Sequence, residues 1–284
     1  MRTHPIIISG NLNDSTLETI KQKIGGVIQE QKDLLIINVD TSIPKQKLIE
    51  LRNTLSEEYQ IDINQLPETF DPSKTGLVLS DMDSTFIAIE CIDEIANFAN
   101  IKPQISTITE SAMRGEIDFE TSLKKRVSLL ADLDTSALER VYKERLKLNP
   151  GAADLVKGLH ENSIPFALVS GGFTYFTEKL KAEYQLDFTK ANTLEIIDNK
   201  LSGKILGAIV DAQTKANYLE DLCQTLDIQT NQVICMGDGA NDLLMMEKAG
   251  LSVSYCAKPV VQEKADIVIN YSRLDLVLDL NFSS

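Results

Sequence analysis

The pattern of apolar and polar positions changes near residue 76. Before that point, short apolar runs alternate with amphipathic stretches, which predicts strands over 5–9 and 34–39 and helices over 15–28 and 45–59. Residues 1–70 are therefore expected to form a small α/β unit. The polar segment 67–74 contains two prolines and shows no periodicity, so we predict a linker at 71–75.

After residue 76, apolar runs alternate with longer helical patterns. The runs at 77–80, 165–170, 232–236, 251–255 and 265–270 are apolar enough for strands that are buried on both faces. This alternation predicts an α/β fold over 76–284, with a Rossmann-like, doubly wound and mostly parallel sheet between layers of helices.

A mainly helical insertion is predicted between the first two of these strands, at about 88–149. Helix-type apolar spacing occurs over 85–99 and 123–130, without strand-like runs. Because the insertion directly follows a strand end, it is well placed to act as a lid over a site there. A purely structural helical subdomain is the alternative.

Composition narrows the possible functions. The 284 residues include 42 acidic and 28 basic side chains, and the formal charge of −14 argues against binding to nucleic acid or to an anionic membrane surface. The four cysteines form no Cys-x-x-Cys pair, and two histidines cannot build the usual zinc sites. No apolar stretch is long enough for a membrane span or a secretory signal, so a cytoplasmic location is expected.

Candidate chemistry begins with Asp81 and Asp83, which directly follow the run 77–80. Ligands of open α/β sheets bind at the carboxyl ends of the strands. Two carboxylates this close repel each other when ionised, so we expect a cation beside them, with a metal ion as the first candidate.

Three further polar segments follow predicted strands or begin predicted helices. They contain Ser170 and Gly171, then Lys215, and then Asp238, Asn241 and Asp242. Each segment alone is a weak signal, because glycine turns, exposed lysines and helix-capping acids are common. Together they predict Mg²⁺-dependent phosphoryl transfer through an aspartate, with the phosphoryl group held by a lysine, a hydroxyl and a backbone N–H group.

The motifs resemble those of the haloacid dehalogenase (HAD) superfamily. The Asp-x-Asp-x-Thr signature at 81–85, the Ser-Gly-Gly turn at 170–172, the lysine and the Gly-Asp-Gly-x-Asn-Asp segment at 237–242 stand in that superfamily's order, over about 76 to the C-terminus. Segments 90–96 and 122–130 resemble the cap of its members that act on O-phospho-L-serine. The resemblance implies a HAD core with a helical cap and hydrolysis of this small molecule to L-serine and phosphate, the last step of serine biosynthesis.

The resemblance also implies roles for single residues. Asp81 would be the nucleophile and Asp83 the general acid and base. Mg²⁺ would be held by Asp81, Asp238 and the main-chain carbonyl of Asp83, with Asp242 and Thr85 behind these ligands. The phosphoryl group would be held by Ser170, Gly171 and Lys215, with Asn241 beside it.

The amino-acid part of the substrate is assigned to the insertion. Glu90 would pair with the ammonium group and Arg126 with the carboxylate, which an arginine can bind through two parallel hydrogen bonds. Met113 and Phe119 would form the apolar wall. Without the resemblance, Arg126 reads as a surface residue of the basic run 124–126, and Glu90 as an acid favoured at a helix start.

Other interpretations stay open at this point. The N-terminal unit is similar to small ACT-like domains but has one strand fewer, and it could support a homodimer or simply stabilise the core. The core motifs also suit a HAD phosphatase or phosphotransferase for another small phosphomonoester. A signalling receiver domain or an inactive amino-acid-binding regulator would be different classes, and neither explains Glu90 and Arg126 beside a complete set of catalytic residues.

Overall fold

The computed structural model describes residues 4–10, 12–24, 27–31, 34–39 and 43–282. The N-terminal unit contains β1 His4–Gly10, α1 Asp14–Ile24, β2 Val27–Gln31, β3 Leu34–Val39, α2 Lys45–Tyr59 and β4 Ile61–Gln65. Its four strands form an antiparallel sheet in the order β2-β3-β1-β4. Alternate residues such as Ile6, Ile8, Leu35 and Ile37 pack with Leu55 and other helix residues into one apolar cluster.

Two predictions for this unit are wrong. The helix expected to reach residue 28 ends at Ile24, and Val27–Gln31 form a strand that pairs with β3 instead. The unit is also not one strand short, because Ile61–Gln65 form β4 beside β1. Asp62 and Asn64 interrupt the apolar pattern of β4, which is why the sequence concealed it. The linker at 71–75 stays a prediction.

The second sheet has seven strands in the order β11-β10-β9-β5-β6-β7-β8. The elements that follow β4 are β5 Leu77–Ser80, α3 Cys91–Phe98, α4 Lys102–Met113, α5 Phe119–Ser128, α6 Ser136–Arg140, α7 Ala152–Glu161, β6 Phe166–Phe173, α8 Thr174–Tyr184, β7 Phe188–Ile197, β8 Lys200–Leu206, α9 Ala212–Leu226, β9 Val233–Gly237, α10 Leu243–Lys248, β10 Leu251–Tyr255, α11 Pro259–Lys264, β11 Ile267–Ile269 and α12 Leu276–Phe282. All neighbouring strands are parallel except β7 and β8.

The core lies on both faces of this sheet. Val78 joins one apolar cluster, whereas Leu77 and Leu79 join the cluster on the other face, as the two-residue period of a strand requires. The predicted α/β fold is confirmed. The pair β7 and β8 was not predicted, because exposed side chains such as Ile196 and polar residues interrupt its apolar pattern.

The insertion is helical, as predicted, and consists of α3 to α6 followed by a π-helical turn, Val141–Arg145. The helix expected over 85–99 begins only at Cys91. Before it the chain forms a tight turn, in which Ser84 has a left-handed backbone with φ of 58° and the N–H groups of Phe86 and Ile87 both donate to the Met82 carbonyl. These bonds hold residues 84–90 out of the helix.

Candidate active site

The central strands β9, β5 and β6 bring the predicted polar segments together at the carboxyl ends of the strands, which form one edge of the sheet. Asp81 follows β5, Asp238 follows β9, and Ser170 lies near the end of β6. The N–H group of Asp81 donates to the Met236 carbonyl at 2.9 Å, so the ends of β5 and β9 are joined directly. The edge therefore forms from residues that are far apart in sequence.

Lys215 lies behind this edge and is only 1% exposed. Its helix α9 begins after Asp211, whose side chain accepts a hydrogen bond from the Thr214 N–H at 2.7 Å. The Nζ of Lys215 lies 2.8 Å from Oδ1 of Asp81 and 2.7 Å from Oδ1 of Asp242. Burial alone would lower the pKa of Lys215, but the two carboxylates outweigh burial and raise it, so this lysine carries its charge at every physiological pH.

Asp81, Asp238 and Asp242 form a group of carboxylates that could bind a metal ion. One oxygen of each lies within 4.8 Å of the others. Asp242 is already engaged, because Oδ1 meets Lys215 and Oδ2 accepts from the N–H groups of Asp238 at 3.2 Å and Gly239 at 3.0 Å. This agrees with a supporting position for Asp242 and leaves Asp81 and Asp238 as the side chains more suited to bind a cation.

The electrostatics of this group fit a divalent cation. Burial and the nearby Asp242 raise the pKa of Asp81 above its usual range, although Lys215 opposes the shift. Burial and Asp242 also raise the pKa of Asp238 to about 6, against the hydrogen bond that Thr85 Oγ1 donates to its Oδ1 at 3.2 Å. More negative charge is buried here than Lys215 compensates, and oxygen ligands of this kind suit a hard cation.

Asp83 and Ser170 lie on the other side of Asp81. Oδ1 of Asp83 accepts a hydrogen bond from the Cys91 N–H at 2.8 Å, and Oδ2 accepts one from Oγ of Ser170 at 3.1 Å. Burial raises the pKa of Asp83, and both hydrogen bonds oppose that shift. A Cβ at Gly172 would lie 2.6 Å from Oδ2 of Asp83, so a residue without a side chain is required there. A carboxyl group with a raised pKa is suited to donate and accept a proton.

A cavity of about 340 Å³ lies between this edge and the helical cap. The sheet side contributes Asp81, Asp83, Ser170, Gly171, Asp238 and Asn241, and the cap side contributes Glu90, Asp93, Thr109, Phe119, Leu123 and Arg126. The ring of Phe119 reaches over the glycine turn, with Cζ 3.1 Å from the point where a Cβ of Gly171 would lie. The volume suits a small molecule rather than a polymer.

Glu90 and Arg126 are the charged residues of the cap that the sequence singled out, and both line this cavity. Glu90 accepts a hydrogen bond from Oγ of Ser84 at 2.8 Å, and burial, followed by the nearby Asp83, raises its pKa to about 7. Burial lowers the pKa of Arg126, although Asp93 and Glu90 oppose this. Within the described residues, Nε of Arg126 is buried and has no hydrogen-bond partner. Such a donor needs an acceptor to offset its desolvation.

The remaining predicted residues are placed differently. Thr85 is fully buried and donates a hydrogen bond to Asp238. Met113 is 71% exposed and does not line the cavity. Lys258 and Asp93 line the cavity and were not predicted. Lys258 follows the carboxyl end of β10, where ligands of parallel sheets bind, so its position could have been found from the sequence. Asp93 lies in the first turn of α3.

Fold and cavity together define a phosphoryl-transfer site of a known architecture. Residues 75–250 match the family described as haloacid dehalogenase-like hydrolase, and the chain belongs to this family.

Similar proteins within this family include enzymes of one particular activity. A phosphoserine phosphatase of Haemophilus influenzae is 42% identical over 277 residues, which cover 97% of this chain and 88% of the relative. A HAD family hydrolase of Salmonella enterica serovar Typhi superposes with a TM-score of 0.90 at 33% identity and covers 99% of both chains. A substrate-bound phosphoserine phosphatase complex superposes with a TM-score of 0.68 at 39% identity, over 72% of this chain and 98% of the other.

Among the described residues, none of the helices is both long and apolar enough to cross a bilayer.

Proposed function

We propose that this protein hydrolyses O-phospho-L-serine to L-serine and phosphate, and so carries out the last step of serine biosynthesis. The observation that carries the proposal is a single small cavity that has Asp81, Asp83 and Ser170 on one wall and Glu90 and Arg126 on the other. A phosphorylated amino acid presents a phosphate, an ammonium and a carboxylate, and this cavity offers a partner to each. The phosphoserine phosphatase of H. influenzae, which matches nearly the whole chain, supports the same substrate.

The first step would be attack of Asp81 on phosphorus. Oδ1 of Asp81 accepts from the Met82 N–H at 2.7 Å and meets Lys215 at 2.8 Å, so we assign the attack to Oδ2. The bond between phosphorus and the serine oxygen breaks, and its electron pair stays with that oxygen. The oxygen accepts a proton from Asp83. The products of this step are L-serine and an acyl phosphate on Asp81.

The second step would release phosphate. Asp83, now ionised, accepts a proton from water while the water oxygen attacks the phosphorus of the acyl phosphate. The bond between phosphorus and Oδ2 breaks, and the carboxylate of Asp81 is restored. The Lys215 ammonium stays fixed between Asp81 and Asp242, where it stabilises the negative charge that is present through both steps.

The cation proposed for this site is Mg²⁺, held by Asp81, Asp238 and the main-chain carbonyl of Asp83. When bound, it supplies positive charge that reduces the repulsion between a carboxylate and a phosphate dianion. The phosphoryl oxygens would be held by the Ser170 hydroxyl, the Gly171 N–H and Lys215, with Asn241 at the cavity wall.

The cap would read the amino acid. The unpartnered Nε of Arg126 suits a carboxylate, and Glu90 suits the ammonium. Phe119 would cover the phosphoryl end as the apolar wall. Met113 would join that wall only after the cap moved inwards, because its side chain is exposed in this structure.

Phosphate release should be measured side by side from O-phospho-L-serine, O-phospho-L-threonine, sugar phosphates and an aryl phosphate. We expect phosphoserine to have the highest kcat/KM, activity to vanish with EDTA and return with Mg²⁺, and Asp81→Asn to be inactive with an unchanged circular dichroism spectrum. A preference for sugar phosphates would overturn the substrate, and activity that survives chelation would overturn the metal.

A further inference from the structure

The two segments that join the cap to the core form a short ribbon. The N–H of Ala88 donates to the Lys147 carbonyl at 2.8 Å, and the N–H of Asn149 donates to the Phe86 carbonyl at 3.0 Å. Between these bonds, Ile87 and Leu148 pair in antiparallel fashion. The segment that enters the cap and the segment that leaves it are therefore fixed to each other at the base of the cap.

Asn149 adds a side-chain clamp to this ribbon. Its Nδ2 lies 2.8 Å from the carbonyl oxygen of Thr85, 3.2 Å from that of Ile87 and 3.3 Å from that of Ser84. Three carbonyl groups of this turn thus converge on one amide group, which can donate hydrogen bonds to them through its two N–H groups. The clamp holds the turn in which Ser84 keeps its left-handed backbone.

The segment that carries Asn149 is itself anchored to the core. The carbonyl of Pro150 accepts a hydrogen bond from the Leu274 N–H at 2.8 Å, and proline fixes its own φ. Asn149 therefore lies on a segment that is anchored to the core, and the turn can be held against it.

The clamped turn carries two side chains that face the site. Oγ1 of Thr85 donates to Oδ1 of Asp238 at 3.2 Å, and Oγ of Ser84 donates to Oε1 of Glu90 at 2.8 Å. Thr85 is fully buried, and the place of its hydroxyl depends on the backbone of the turn that carries it. The position of the Asp238 carboxylate thus depends on a turn that Asn149 holds.

We propose that Asn149 is a positioning residue for the cation site, which acts through the turn and Thr85 on Asp238. The inference rests on the proposed function in one respect, namely that Asp238 is a ligand of Mg²⁺. Residues behind metal ligands commonly change affinity or activity roughly 10-fold to 100-fold when they are replaced.

The test compares Asn149→Ala, Asn149→Asp and Asn162→Ala in the full chain. Aspartate keeps the shape of Asn149 but loses both N–H donors. Asn162 is a matched control, because it is an exposed asparagine whose Nδ2 also donates to a carbonyl, that of Gly158 at 2.8 Å, away from the site. Mg²⁺ binding to the metal-free proteins is measured by calorimetry without substrate, and thermal unfolding is recorded in parallel.

We expect both Asn149 variants to weaken Mg²⁺ binding roughly 10-fold, with kcat for phosphoserine reduced more than KM is raised, and Asn162→Ala to match the wild type. Thr85→Val should weaken Mg²⁺ binding similarly. The double variant Asn149→Ala, Thr85→Val should bind Mg²⁺ no more weakly than the worse single variant, because both residues act on Asp238 through the same contacts. Asn149 variants with unchanged Mg²⁺ affinity and a lowered Tm would overturn the proposal. Losses of Mg²⁺ affinity that add in the double variant, or a wild-type protein that binds no Mg²⁺, would overturn it as well. A wild-type protein that binds Mg²⁺ but ignores phosphoserine would overturn the proposed substrate alone, since the binding measurements do not use it.

Discussion

Lys215 and Arg52 are both buried cations, 1% and 8% exposed, but their partners differ in kind. Lys215 lies between the carboxylates of Asp81 and Asp242. Arg52 instead donates to the carbonyls of Ile63 and Asp266, both at 2.8 Å, and to Oδ1 of Asn64 at 2.7 Å. Burial lowers the pKa of Arg52 to about 10 although Asp62 and Asp266 oppose it, whereas the pKa of Lys215 is raised.

Arg52 belongs to a surface on which the N-terminal unit meets the core. β4 lies beside β11, the edge strand of the seven-stranded sheet. The side chain of Asn64 pairs there with the backbone of Val268: Nδ2 donates to the Val268 carbonyl and Oδ1 accepts from the Val268 N–H, both at 2.9 Å. Oδ1 and Oδ2 of Asp62 accept from the backbone N–H groups of the residues that follow β11. Side chains thus cover backbone groups that an open edge would expose.

The comparison separates two uses of a buried positive charge. Arg52 is held by the Ile63 and Asp266 carbonyls and by the Asn64 side chain, in a contact between the N-terminal unit and the core. Lys215 is held by two carboxylates, one of which, Asp81, is the proposed nucleophile. If the two cations differ in this way, removing Lys215 should impair the reaction, whereas removing Arg52 should impair stability alone.

Lys215→Ala should lower kcat by roughly 1,000-fold, at the upper end of the loss seen when one charge-stabilising donor is removed. It should also lower the free energy of unfolding by about 3 kcal/mol, because Asp81 and Asp242 are left buried without their cation. Steady-state kinetics and urea unfolding measure the two effects. Activity within a factor of ten of wild type would show that Lys215 is structural, as Arg52 is.

Arg126→Ala should lower kcat/KM for phosphoserine by roughly 100-fold, which corresponds to the loss of charge-assisted hydrogen bonds. Hydrolysis of an aryl phosphate, which has no carboxylate, should change far less. Arg140→Ala, at an exposed arginine that pairs with Glu144, is the control. Equal losses on both substrates would place Arg126 with Arg52 as a structural cation.

Arg52→Met should lower the free energy of unfolding by about 3 kcal/mol, because the Ile63 and Asp266 carbonyls and the Asn64 side chain lose a buried donor. The activity of the folded enzyme should stay unchanged. Lys45→Met is the control, since the exposed Lys45 also donates to a core carbonyl, that of Lys264 at 2.7 Å, and should change stability by less than about 0.5 kcal/mol. A fall in kcat for Arg52→Met would contradict a purely structural contact.

The smallest effect concerns pH and Glu90, whose pKa of about 7 exceeds the usual 4.5 because of burial and Asp83. Since only the ionised form pairs with the substrate ammonium, kcat/KM should fall as the pH drops below about 7, and Glu90→Gln should remove that limb of the profile. For stability, a raised pKa favours the folded state below pH 4.5, and this contribution is lost as the pH rises through about 7. Glu90→Gln should therefore gain stability relative to wild type only at the higher pH, and a constant difference at pH 4 and pH 8 would exclude the shift.

The same two regions show how far sequence reasoning reached. The strands at 77–80 and 251–255 were predicted with their observed bounds, because each consists of apolar residues and serines without a charged residue, and each is buried throughout. β4 was missed for the opposite reason. Its Asp62 and Asn64 are buried polar residues whose partners lie on β11 or directly after it, and a local pattern cannot indicate a partner more than 200 residues away.

The turn before α3 was also missed because its partner is distant in sequence. The apolar spacing over 85–99 is helical, yet the carbonyls of Thr85 and Ile87 bond to Asn149 across the base of the cap. Lys258 follows the carboxyl end of a strand, as Asp81 does, so the same rule applies to it. Met113 stays a prediction, because its exposed position depends on where the cap lies.

The sequence by itself determined the kind of chemistry, since carboxylates, glycine turns and a lysine at strand ends and helix starts follow from local periodicity. Only the tertiary structure decided that Lys215 lies between Asp81 and Asp242, and that Asn149 clamps the turn that carries Thr85. It also decided that Arg126 lines the cavity with an Nε that has no partner among the described residues. The physical reason is that periodicity records which face of an element is buried. Which side chains meet depends on strand order and on the return of the cap, and these are set by packing between distant segments.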